Sequence, residues 1–128
     1  GITTYSLQNH LRTFVSGIGQ IEVDEIYVGV NRQGAQFVIP VQAKAGTNQI
    51  ASVQAEQDIA CCGEKFPGLI CRAVAAQFLE DDIIALFEMV PSGKEIRVVD
   101  ERHYQLVPAD RITSSDLALY QRTDSTNR

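Results

Sequence analysis

The most constraining stretch of the chain is a pair of β-forming runs on either side of a short polar loop. Residues 20–30, QIEVDEIYVGV, and residues 35–45, AQFVIPVQAKA, are rich in β-branched and aromatic side chains, which suit a half-buried strand. Asn31-Arg32-Gln33-Gly34 separates them. A glycine at the last loop position favours a three-residue hairpin, a type I turn followed by a residue in the left-handed region. Opposed residue numbers then sum to 66, so that Asp24 faces Gln42 and Glu22 faces Lys44.

Side chains alternate along a strand. One face of the expected hairpin carries Glu22, Asp24, Ile26, Val28 and Val30 opposite Gln36, Val38, Pro40, Gln42 and Lys44. The other carries Ile21, Val23, Glu25 and Tyr27 opposite Phe37, Ile39, Val41 and Ala43. Both faces are mostly apolar, so both are expected to be covered. A two-residue turn would shift the register by one and bring Glu25, instead of Asp24, onto the Gln42/Lys44 face. The glycine position favours the first register.

The remaining segments read more coarsely. Residues 5–16, with Leu7, Leu11, Phe14 and Val15 at helical spacing, suggest a short amphipathic helix ended by Gly17 and Gly19. Gly46-Thr47-Asn48 offers a turn and an N-cap for a helix over 48–62, with Ile50, Val53, Ile59 and Ala60 facing inward. Strands are expected over 69–78, 82–90 and 95–107, the second and third joined by a turn at Pro91-Ser92-Gly93, with a bulge near Asp100. Thr113-Ser114 caps a last short helix, SSDLALYQR. A hairpin followed by a helix and another strand points to an α+β fold of the sandwich type, a mixed sheet with flanking helices.

Composition narrows the class. The 128 residues suit one domain, and 45% apolar with 21% charged residues is ordinary globular usage. No apolar run approaches the ~18–20 residues of a membrane span, and the N-terminus lacks the layout of a signal peptide. The chain opens on Gly1, and residues 1–128 are read as one domain excised from a longer protein. Cys61, Cys62 and Cys71 form no CxxC pair. They are expected to be small reduced thiols, which suits a cytoplasmic protein. The net charge of −5 speaks against a surface that grips nucleic acid everywhere. Residues 1–48 are nevertheless neutral, with three acids, Glu22, Asp24 and Glu25, against three bases, Arg12, Arg32 and Lys44.

Glu22, Asp24, Gln42 and Lys44 thus gather at one end of an apolar hairpin. Burying unpaired charge is costly. A structural account pairs Glu22 with Lys44 and hydrogen-bonds Asp24 to Gln42. A functional account is a divalent-cation site, because Mg²⁺ takes hard oxygen ligands from one or two carboxylates plus waters and substrate phosphates. Asp24 offers a carboxylate, Gln42 an amide oxygen and Ala43 a backbone carbonyl. Lys44 could hold a phosphate oxygen or activate a water, a useful arrangement for phosphodiester hydrolysis.

Asp24, followed 18 residues on by Gln42-Ala43-Lys44 in the next strand, then a helix and a further strand, resembles the PD-(D/E)XK nuclease superfamily, the fold of type II restriction endonucleases. The resemblance covers roughly residues 5–78. It implies a restriction endonuclease-like core and Mg²⁺-dependent cleavage of double-stranded DNA, with Mn²⁺ as a substitute. It implies Asp24 and Gln42 as metal ligands, Lys44 as the group that positions or activates water, and a homodimer or a larger protein as the working unit. The stretch ERHYQLVP…ITSSDLALY also looks like the C-terminal portion of restriction-type endonucleases, without a role that can be derived. Val23 stands where the family has Pro. Gln42 stands for the commoner Glu, which removes a negative charge that Glu22 could restore. Residues 1–21 contain no acid, so the Glu that many members carry on the first helix is absent from this segment.

Weaker candidates are Gln49, Gln54 and Gln57 on the helix after the motif, and His10 and Arg12 for a DNA backbone. A solvated surface explains each of them as well. His103 has no evident partner, and Glu80-Asp81-Asp82 reads as a solvated turn. Two rival functions remain: a non-catalytic module of the nuclease fold binding nucleic acid or a protein partner, and an unrelated α+β binding domain with a structural polar cluster.

Overall fold

A computed structural model describes residues 1–45, 52–93 and 95–126. Its elements are β1 (Ile2–Val15), β2 (Gly19–Asn31), β3 (Gln36–Ala45), α1 (Ser52–Lys65), β4 (Ile70–Cys71), β5 (Ala73–Phe78), β6 (Ile83–Ser92), β7 (Glu95–Gln105) and α2 (Ser114–Thr126). The strands form one mixed sheet of seven, ordered β1-β2-β3-β5-β6-β7, with β4 also paired to β3. The architecture is broadly α+β.

The central hairpin has the register expected from its loop. Glu25 pairs with Val41, Tyr27 with Ile39 and Val30 with Gln36, all antiparallel. Gly34 has φ +85, in the left-handed region. The Gly34 N–H donates to Asn31 O and the Asn31 N–H to Ala35 O, both at 3.1 Å. The Asn31 side chain stiffens the turn, with Oδ1 accepting from the Gln33 and Ala35 N–H groups.

Residues 5–15 form part of strand β1, not a helix, and Ser16 opens the turn that follows. β1 pairs antiparallel with β2 along almost its whole length, from Ile2↔Asn31 to Val15↔Gly19. Helical spacing of Leu7, Leu11, Phe14 and Val15 misled because Leu11 and Val15 also lie on one strand face. Leu11 packs against the core and Val15 is buried, while Leu7 and Phe14 are exposed. Thr3, Thr4, Tyr5, Thr13, Phe14 and Val15 favour a pleated conformation, and the long ladder outweighs a marginal helix. The strand is irregular, with a bulge between Ser6 and Gln8 and φ +52 at His10.

After β3 the chain crosses through α1 and returns parallel. Phe37 and Val38 pair with Ile70 and Cys71 of β4, and Val41 to Ala45 pair with Val74 to Phe78 of β5. The expected strand 69–78 is therefore present, interrupted at Arg72, whose N–H still donates to Val38 O at 3.0 Å. β6 and β7 continue the sheet antiparallel. Their ladder steps from Glu88↔Asp100 to Met89↔Val98, which gives the expected bulge beside Asp100. The cap of α2 is reciprocal: the Asp116 N–H donates to Thr113 Oγ1 at 3.1 Å and the Thr113 N–H to Asp116 Oδ2 at 3.2 Å. The expected turn and cap at Gly46-Thr47-Asn48, with Gln49 and Ile50, lie outside the described residues. Among the described residues no helix is long and apolar enough to cross a membrane.

α1 covers one face of the central strands. Its Cys61 and Cys62 pack with Val15, Ile21, Val23, Ile26 and Val38. A second cluster joins Ala55 of α1 to Ala73, Ala75 and Met89. The inward face of α1 therefore runs through Ala55, Asp58, Cys61 and Cys62, at helical spacing. Ile59 and Ala60 pack partly inward, as expected, whereas Val53 is 60% exposed.

Candidate functional site

The site lies where β2 and β3 part. Their ladder ends at Glu25↔Val41, while β3 continues against β5 through Gln42↔Ala75, Ala43↔Ala76 and Lys44↔Gln77. Across the gap the Ala43 N–H donates to Asp24 Oδ2 at 2.8 Å. In an extended strand the N–H and C=O of one residue point to the same side. The Ala43 carbonyl therefore also faces the gap.

Strict alternation fails once along β2. Val23 and Ile26 belong to the same core cluster under α1, although an odd and an even position should face opposite sides. Glu25 receives a hydrogen bond from the Tyr27 hydroxyl, which puts both on the face away from Ile26. The change of face therefore falls at Asp24, between Val23 and Glu25. His10, with its positive φ, is the β1 residue between the pairs Asn9↔Glu25 and Leu11↔Val23.

Glu22 does not form the expected ion pair with Lys44. Its carboxylate ion-pairs with His10 Nδ1 at 3.4 Å and Arg12 Nε at 3.5 Å. His10 and Arg12 are thereby tied to β2. A groove of about 480 Å³ lined by Arg12, Thr13, Phe14, Gln20, Ile21 and Glu22 lies on this side of the strands.

On the α1 side the even residues of β3 go inward. Val38 is fully buried, Pro40 is among the most buried side chains and Gln42 is 2% exposed. Lys44, next on the same face, is half-buried. Neither Nε2 nor Oε1 of Gln42 has a hydrogen-bond partner, a state that costs roughly 1–3 kcal/mol.

Opposite them on α1 sits a residue that the sequence reading missed. Asp58 is 1% exposed. Gln54 Nε2 donates to Asp58 Oδ1 at 2.9 Å and to Glu22 O at 3.2 Å, which ties α1 to β2. Burial pushes the Asp58 carboxyl up to about 6; the Gln54 hydrogen bond opposes this, the Asp24 charge adds to it and the Lys44 charge opposes it. Asp58 thus feels both charged residues of the expected motif. The signal was legible: at helical spacing, Ala55, Asp58 and Cys62 put one acid in the middle of an apolar stripe.

Other candidates resolve plainly. Gln57 is half-buried, and Gln54 acts as the clamp just described. His103 Nε2 lies 3.3 Å from Glu101 Oε2. Glu80-Asp81-Asp82 forms a turn with φ +60 at Asp81 and +57 at Asp82. The three cysteines are free, with Cys61 and Cys62 buried. The hydrogen bond with Cys71, with burial, pushes the Cys62 thiol up.

Among the described residues no group of three or more His, Cys, Asp or Glu converges as a metal cage. A hard divalent cation needs less, since Mg²⁺ is commonly held by one or two carboxylates and completes its shell with water. Asp24 offers a carboxylate and Gln42 an orphaned amide as hard oxygen donors. No protein-family model, no curated protein and no solved structure matches this chain.

Proposed function

We propose that this chain is a metal-dependent DNA endonuclease related to restriction endonucleases, with Asp24, Gln42 and Lys44 as its working residues and Ala43 as a backbone ligand. The observation that carries the reading is the fork itself. Asp24 is held against Ala43, beside a buried amide without a partner, with Lys44 two residues on along the same face of β3. The meander β1–β3, the helix α1 and the parallel strands β4 and β5 agree with a restriction endonuclease-like core. The strand over residues 5–15 departs from it, because that core opens on a helix.

Bound Mg²⁺ would supply Lewis-acid stabilisation of the charge that accumulates at phosphorus. Asp24 and Gln42 would hold it, Gln42 through Oε1. The Lys44 ammonium donates its N–H groups to a non-bridging phosphate oxygen and orients the attacking water. Water forms the new P–O bond and loses a proton to solvent, the bond to O3′ breaks, and the leaving oxygen takes up a proton from solvent. The products are 5′-phosphate and 3′-hydroxyl ends. One site cuts one strand, so a homodimer would suit cleavage of both. Glu22, engaged with β1, takes no part.

A non-catalytic module of the same fold is the second reading, favoured by Gln42 where an acid would add ligand charge. Plasmid cleavage separates the two. The full chain with Mg²⁺ or Mn²⁺ is expected to nick or linearise plasmid, and EDTA or Lys44→Ala is expected to abolish this. Cleavage that survives both changes comes from a contaminant. Intact plasmid under every divalent cation tried sinks the nuclease reading in favour of the module.

A further inference from the structure

We propose that Cys62 and Cys71 are a redox pair, joined by a reversible disulfide that staples α1 to β4 when the protein meets a peroxide. The inference is independent of any chemistry at the fork.

The first argument is placement. β4 consists of Ile70 and Cys71 alone. It pairs parallel with β3 in the register Val38↔Cys71, and residues paired across a ladder share a face. Val38 faces α1 and lies in one cluster with Cys62, and Cys71 packs against that same cluster. Ile70, alternating to the other side, is 42% exposed. α1 comes within 8 Å of β4, Cα to Cα. Disulfides usually join Cα atoms about 4.4–6.8 Å apart, so the packing of helix on strand suits one. The two thiols are also hydrogen-bonded, with Cys62 as the donor and Cys71 Sγ as the acceptor. Cys61 shares the cluster, but Cys62 holds this bond.

The second argument is the asymmetry of the pair. All three cysteines are free; Cys62 is 1% exposed, whereas Cys71 is half-buried and open to small solutes. The hydrogen bond from Cys62 holds the Cys71 thiol below its ordinary range, and the Arg72 charge adds to this. The thiolate is the reactive form of cysteine. Cys71 is thus the sulfur that meets an oxidant first, with Cys62 behind it as the resolving thiol.

The chemistry closes with hydrogen peroxide as the oxidant. Cys71 Sγ attacks one peroxide oxygen, the O–O bond breaks and water leaves, which makes Cys71 a sulfenic acid. Cys62 Sγ then attacks Cys71 Sγ. The S–S bond forms, the S–O bond breaks, and the departing oxygen takes the Cys62 proton and leaves as a second water. Two thiols and one peroxide give one disulfide and two waters. A dithiol reductant reverses the step by thiol–disulfide exchange. The closed ring spans Phe66-Pro67-Gly68-Leu69, the connection from α1 into the sheet, and so fixes the helix on the strands it covers.

The test treats the full chain with hydrogen peroxide, blocks the remaining thiols and digests with trypsin. Cleavage after Lys65 and Arg72 puts Cys62 and Cys71 on separate peptides. Mass spectrometry is expected to find these peptides joined within one chain, with fragmentation placing the bond at Cys62. Dithiothreitol is expected to release them. Circular dichroism verifies that the fold persists during oxidation, and the oxidised chain is expected to melt about 5 °C or more above the reduced one. Cys61→Ser is expected to keep the link and the melting shift, and Cys62→Ser to lose both and to let Cys71 oxidise on to the sulfinic acid. Separate peptides in the peroxide-treated wild type, a bond through Cys61, or a link only between two chains on a non-reducing gel overturns the inference.

Discussion

The Ala43 amide donates to Asp24 Oδ2 over 2.8 Å at the point where β2 and β3 separate. One hydrogen bond thus closes the fork and aims the carboxylate. Asp24→Asn keeps an acceptor for that amide, whereas Asp24→Ala leaves it with none. Asp24→Ala is expected to cost about 1–2 kcal/mol more than Asp24→Asn in urea unfolding. Both are expected to abolish Mg²⁺-dependent cleavage. Equal stability of the two variants would show that the bond does not hold the fork.

Asp58 makes the apoprotein's stability depend on pH. Its folded-state pKa is raised from 3.8 to about 6. An acid whose pKa rises on folding stabilises the fold fully below the unfolded value and loses that contribution as pH rises through the folded one. Stability is therefore expected to fall between about pH 4 and 6, by roughly 3 kcal/mol from this residue. Asp58→Asn should flatten that segment of the profile, measured by chemical unfolding without divalent cations. Lys44→Ala should move the midpoint upward, because the Lys44 charge opposes the rise.

Gln42 sets stability against function. Gln42→Leu removes two buried polar atoms without partners and keeps a similar shape. It is expected to stabilise the chain by about 1–2 kcal/mol while weakening Mn²⁺ binding. A variant that is less stable than the wild type would mean that the amide is satisfied in the folded protein.

Glu22 is a surface residue in this fold. Its partners His10 and Arg12 have side chains 75% and 80% exposed. Exposed pairs contribute about 0–1 kcal/mol, so Glu22→Gln is expected to change stability by less than that and to leave plasmid cleavage intact. Loss of cleavage in this variant would return Glu22 to the site.

Gly29 lies close against β1. A Cβ there would lie 2.5 Å from Ile2 Cγ2 and 3.0 Å from Thr3 O. Gly29→Ala should push the strands apart and cost about 1–3 kcal/mol in thermal unfolding. Gly63→Ala, with nothing within 4 Å of the added methyl, is the control.

The central hairpin was legible because its information is local. The loop glycine dictated a left-handed turn residue, the turn dictated the register, and the register brought Asp24 opposite Gln42. The strands from 69 to 105, the bulge beside Asp100 and the Thr113 cap were also local patterns. β1 was not. Its apolar residues fit two periodicities, and only pairing with β2 chose between them. The ion partners of Glu22 were hidden for a related reason, since both lie on β1.

The chain's own pattern of residues thus determined the hairpin, its register and the gathering of Asp24, Gln42 and Lys44 at one strand end. Tertiary structure alone decided where the other acids go. Glu22, two residues from Asp24, was paired with His10 and Arg12 of β1. Asp58, far from Asp24 in the chain, was carried inward by a helix whose buried face must meet the sheet. Sequence proximity sets what alternates along one strand; the packing of α1 over that strand sets which charges share a low-dielectric space.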